Sequence, residues 1–84
     1  MTHEQTFETG KRYFSEHYGC TFLITRRTPR SIFYIVDDCI SKEMKKRFKS
    51  KEEKRSKIYD YSSGYETFSF PIGFVHRYAV KEVL

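Results

Sequence analysis

A chain of 84 residues can enclose one hydrophobic core and no more, because at this length only about 60% of the surface exposed by the unfolded chain is buried on folding. The sequence is 38% hydrophobic with seven Tyr, eight Phe and no Trp, so a few large rings must fill the interior. The net charge is +5, no apolar run approaches the roughly 18 to 20 residues that cross a bilayer, and the start Met-Thr-His-Glu-Gln-Thr lacks a signal peptide's charged and apolar regions. A membrane span is therefore excluded, and the expectation is one domain over 1–84 that stays in the cytoplasm of the cell that makes it, the host's if the chain is viral.

The first six residues are expected to fray. From Phe7 to Glu16, Gly10 suits a turn or bulge and the aromatics after it suit a strand. Cys20 to Arg27 is β-branched and aromatic and lies between Gly19 and Thr28-Pro29, which marks a strand. Ser31 to Asp37 is the next one. Thr28-Pro29-Arg30-Ser31 joins the two as a hairpin, with Pro29 setting the first corner of a type I turn.

Residues 40–55 change character. Ile40, Met44 and Phe48 recur every four residues among polar side chains, the pattern of a helix with one narrow apolar stripe, capped by Asp38 or Ser41. A disordered basic loop is the competing reading, since three apolar anchors must offset the ordering of many long side chains. Next, Ser56 to Tyr61 and Tyr65 to Phe70 form a second hairpin around Ser62-Ser63-Gly64, and Val75 to Val83 can add a closing strand. Five or six short strands with regular punctuation give a mainly β fold. It is expected to be a small SH3-like barrel or a strongly curved antiparallel sheet, interrupted near 40–55 by the basic helical or disordered insertion.

The sequence order Thr9-Gly10-Lys11-Arg12-Tyr13, Arg27-Thr28, Lys57-Ile58, Gly64-Tyr65-Glu66, Gly73 and Arg77-Tyr78 resembles small uncharacterised proteins of bacteriophages and mobile elements. The segment from about 38 to 53 reads as an insertion in that pattern. The resemblance implies no activity, cofactor or site. It implies a viral setting, in which small proteins commonly bind nucleic acid or a host protein.

Chemistry-bearing clusters are sparse. His17 and Cys20 have a zinc-ligand spacing, but His3, His76 and Cys39 stand alone without a second ligand pair, so no metal site is expected. No catalytic residues or cofactor are assigned either. Asp37 and Asp38 point to opposite faces of a strand and so make no dyad, and the four glycines are too isolated to form a phosphate loop. Cys20 and Cys39 read as reduced thiols. They lie at nearly equal distances from the turn at Thr28, so hairpin pairing can bring them together.

Charge placement is the strongest functional signal. Residues 42–57 hold nine Lys or Arg against three Glu, a local +6 that leaves −1 for the rest of the chain. The candidate anion-binding residues are Lys45, Lys46, Arg47, Lys49, Lys54 and Arg55, with Arg26, Arg27 and Arg30 at the hairpin tip as a second patch. Cations along one face neutralise phosphates without sequence preference, and Tyr59, Tyr61 and Tyr65 on an exposed sheet face could stack on unpaired bases. The expected partner is DNA or RNA. The alternative is a protein-binding module that modulates a host protein through an acidic surface, and self-association through an edge strand can accompany either.

Overall fold

Alternation of ring-bearing and polar residues decides the architecture. In Cys20–Arg27 the side chains of Cys20, Phe22 and Ile24 are buried, and in Ser31–Cys39 those of Ile32, Tyr34 and Val36 are buried, so one face of the hairpin turns inward. The computed structural model describes residues 6–48, 51–60 and 64–84. Its elements are β1 (Arg12–Ser15), β2 (Cys20–Arg27), β3 (Ser31–Cys39), α1 (Lys42–Phe48), β4 (Lys54–Asp60), β5 (Glu66–Phe70), β6 (Gly73–His76) and β7 (Val80–Val83). A 3-10 turn, Arg77–Ala79, joins the last two strands.

All pairings are antiparallel and the order is β6-β5-β4-β3-β2-β1-β7. The sheet curls into a half-barrel. Six strands follow one another as a meander, and β7 returns to the free edge of β1. Thr28-Pro29-Arg30-Ser31 joins β2 to β3 as a hairpin: the Thr28 amide donates to the Ser31 carbonyl at 2.8 Å, and the Thr28 hydroxyl accepts from the Ser31 amide at 3.0 Å.

Rings fill the concave side. Phe22 meets Phe68 and Phe70 edge-on at 5.5 and 5.4 Å, and Tyr34 lies 5.0 Å from Phe68. Phe7, fully buried, plugs one end against Tyr13 and Phe68. Thr6, expected to fray, is instead tied down, since its carbonyl accepts from Arg77 Nε at 3.4 Å and from the Tyr13 hydroxyl at 3.5 Å.

Several expectations need correction. The closing segment is two strands with a 3-10 turn between them, so the described sheet has seven strands rather than five or six. Among the described residues the insertion is helical over Lys42–Phe48, while Lys54 and Arg55 already belong to β4. Ile40 lies outside the helix and is 80% exposed, so the apolar stripe consists of Met44 and Phe48 alone. Phe48 anchors the helix by packing edge-on against Phe70 at 5.0 Å. Ser41 provides the cap, its hydroxyl accepting from the Glu43 amide at 3.2 Å. Asp38 is turned elsewhere: it accepts from the Cys39 amide at 2.9 Å and pairs with Lys45 at 3.4 Å.

Candidate nucleic-acid interface

The convex side of the sheet carries the outward-facing residues of each strand, and two bulges set which residues those are. One shift of register between Ile24 and Arg26 inserts Thr25 as an extra residue in β2. Without it Arg26 would follow Ile24 inward. With it, Arg26 faces out opposite Phe33, and Arg27 turns toward the interior.

This placement separates the two arginines chemically. Arg27 makes a bidentate pair with Glu66, with both N–H···O distances at 2.8 Å, and also donates to the Phe7 carbonyl at 2.6 Å. Glu66 accepts from the Phe7 amide at 3.0 Å as well. The Glu66 hydrogen bond raises the pKa of the Arg27 guanidinium above its ordinary value. Arg27 therefore holds the Phe7 plug and leaves the candidate patch.

Arg26, by contrast, joins a row that crosses three strands, in which Arg26 pairs with Phe33 and Phe33 pairs with Arg55. Both guanidiniums lie over the Phe33 ring, at 4.1 and 5.9 Å from its centroid. Farther along β4, Lys57 lies 5.7 Å over the Tyr59 ring, and Tyr59 meets Phe74 of β6 edge-on at 5.6 Å. Tyr59 and Phe74 are 37% and 46% exposed, which leaves ring faces open to a ligand. Arg30 stands exposed at the hairpin tip, beside Ser31, which pairs with Lys57. Among the described residues Arg26, Arg30, Arg55 and Lys57 form no ion pair, so their charges are uncompensated by a direct carboxylate partner.

The remaining candidates divide. Lys45, Lys46 and Arg47 are exposed on α1, with Lys45 partly engaged by Asp38. Lys54 is half-buried and lies 3.8 Å from Glu52. Lys49 and Tyr61 fall outside the described residues. Tyr65 is half-buried and packs edge-on against Tyr78 at 5.2 Å, away from the Phe33 row. The basic run of the sequence is thus split between helix and sheet. Sequence reasoning missed Phe33 and Phe74. The signal for Phe33 was its position between Ile32 and Tyr34, both inward, in a strand facing the arginines of β2.

Among the described residues no three His, Cys, Asp or Glu side chains converge as metal ligands, and no helix is long and apolar enough to cross a membrane. His17 meets Tyr18 edge-on at 4.6 Å while Cys20 is buried beside Cys39. Comparison with protein-family models, with curated proteins and with solved structures finds no match.

Proposed function

We propose that this chain is a small nucleic-acid-binding module of low sequence preference, which lays an unpaired strand across the convex face of β2, β3, β4 and β6. The observation that carries the reading is the row Arg26, Phe33 and Arg55, in which two guanidiniums share one ring. The Phe33 ring holds both cations on the sheet surface; Arg55 donates one N–H to the Ser31 hydroxyl at 3.5 Å, and the other guanidinium N–H groups can meet phosphate oxygens. Lys57 and Tyr59 repeat the cation-on-ring arrangement along β4, and Phe74 extends the ring surface. Aromatic platforms of this kind accept any base, because every base has a π-face. Lys46 and Arg47 on α1 add a second cationic strip.

Fluorescence anisotropy with a labelled oligothymidylate tests the reading. Log affinity should fall linearly with log salt, by about 0.7 per phosphate neutralised on a single strand. Replacing Arg26, Arg55 and Lys57 together by Gln should weaken binding and shrink that slope by about two units. Leucine at Phe33 and Tyr59 should leave the slope unchanged while costing about 1 to 3 kcal/mol per lost stack. If the triple Gln variant keeps the full slope and a Lys45, Lys46 and Arg47 triple loses it, the contact lies on α1. No binding at about 50 mM salt refutes nucleic-acid recognition.

A protein-binding role is the second reading, and the edge strands favour it. Among the described residues β6 and β7 are the outermost strands of the sheet, and Phe74 and Val83 are exposed on them. Exposed rings flanked by Arg are also the side chains from which interface hot spots are built. The viral resemblance fits a host-protein target with an acidic surface, in the cytoplasm of the host. A complex that persists after nuclease treatment would favour this reading over the first.

A further inference from the structure

Cys20 opens β2 and Cys39 closes β3, and the register sets them directly opposite each other. A second bulge offsets the one at Thr25 and restores the register that the Thr28 turn sets. Phe22 pairs with Val36 but Thr21 pairs with Asp38, so Asp37 is an extra residue, and without it Asp38 would stand across from Cys20. The two Sγ atoms lie 3.1 Å apart on the inner face, 0% and 3% exposed, and both are free thiols. Cys39 donates to Cys20 Sγ, and Cys20 donates to the Tyr18 carbonyl at 3.4 Å. Opposed residues of an antiparallel pair have Cα atoms about 4.5 to 5.5 Å apart, within the span of about 4.4 to 6.8 Å that a disulfide requires. The sulfurs need to approach by only about 1 Å to bond, and the strands already hold the required separation.

A cleft of about 200 Å³ beside α1 is lined by Val36, Asp37, Asp38, Cys39, Lys45 and Phe48, so Cys39 borders it and Cys20 does not. We propose that Cys20 and Cys39 form a dithiol modification site for hydrogen peroxide, which reaches Cys39 through this cleft, and that the product is an intrachain disulfide joining β2 to β3 beside α1. The Cys39 thiolate attacks one peroxide oxygen and the O–O bond breaks. The departing hydroxide takes up the thiol proton as water, and Cys39 becomes a sulfenic acid. The Cys20 sulfur then attacks Cys39 Sγ, the S–O bond breaks, and the hydroxyl leaves with the Cys20 proton as a second water. Two thiols lose two electrons to become one disulfide, and one peroxide is reduced to two waters. Cys20 suits the resolving role by position, since its sulfur lies 3.1 Å from Cys39 Sγ and it does not line the cleft.

Reduced full-length protein freed of reductant and treated with excess hydrogen peroxide tests the proposal. The intact mass should fall by two hydrogens. Thiols alkylatable after denaturation should drop from two to none, and dithiothreitol should restore both. In Cys20→Ser, dimedone should trap a sulfenic acid at Cys39, whereas Cys39→Ser should give little adduct at Cys20. A native chain that keeps both thiols, gains oxygens without losing two hydrogens, or crosslinks to a second chain overturns the proposal, whether or not the serine variants fold.

Discussion

Arg27 and Glu66 stand 39 residues apart in sequence and meet through two parallel hydrogen bonds of 2.8 Å at the end of the half-barrel that Phe7 plugs. Side-chain exposures of 22% and 8% make this a largely desolvated pair. Removing one partner strands the other's charge away from water. Glu66→Gln or Arg27→Met should therefore lower unfolding free energy by about 3 kcal/mol. Urea unfolding would measure this, and the double change Arg27→Met with Glu66→Leu should recover much of the loss. A loss below about 0.5 kcal/mol in both single variants would place the pair among ordinary surface contacts.

Ile40 and Phe48 share an apolar character and a four-residue spacing pattern with Met44, yet only Phe48 is buried. Phe48→Ala should cost about 3 kcal/mol and release α1 from Phe70, seen as lost amide protection over Lys42–Phe48. Ile40→Ser should change stability by no more than about 0.5 kcal/mol, as expected for an exposed position. Similar losses from the two substitutions would mean that Ile40 packs against the core after all.

Alkaline pH should destabilise the fold. Burial raises the pKa of the Cys20 thiol to about 12 from an ordinary 9.0, and raises that of the Tyr34 phenol above its ordinary 10.0. As pH climbs past 9 and then 10, the unfolded chain releases these protons while the folded chain keeps them. The unfolded state then binds fewer protons, so stability falls with rising pH. Urea midpoints at pH 7, 8.5 and 10 would show the decline. Tyr34→Phe should flatten its upper part, and an equal decline in that variant would assign the effect to other groups.

What the sequence disclosed follows from which forces act locally. The β2–β3 hairpin was legible because Gly19, Thr28-Pro29 and the β-branched run between them act within a few residues. The mainly β fold followed from the same signals repeated along the chain. The separation of Arg26 from Arg27 was not legible, since it depends on a single extra residue, Thr25, whose position is fixed by packing across strands. The meeting of Cys20 and Cys39, by contrast, was legible from their equal distances to the Thr28 turn, because the Asp37 bulge in β3 offsets the Thr25 bulge in β2 and restores the register of the turn. The basic run misled for another reason. Charge density marked 42–57 as one unit, but charge does not determine where a helix ends, and β4 claimed Lys54 and Arg55 by pairing them with Tyr34 and Phe33.

The return of β7 to β1 also bears on how the chain folds. Five of the six strand pairings join consecutive strands, so each can form by closing a short loop. Only Arg12–Ser15 against Val80–Val83 requires the two ends of the chain to meet. Loop-closure entropy is smallest for the meander and largest for that last pairing, which places β1–β7 association late and makes it the step most sensitive to chain length. The last step of assembly thus joins two four-residue strands, Arg12–Ser15 and Val80–Val83, and it also sets Tyr13 and Val80 into the core.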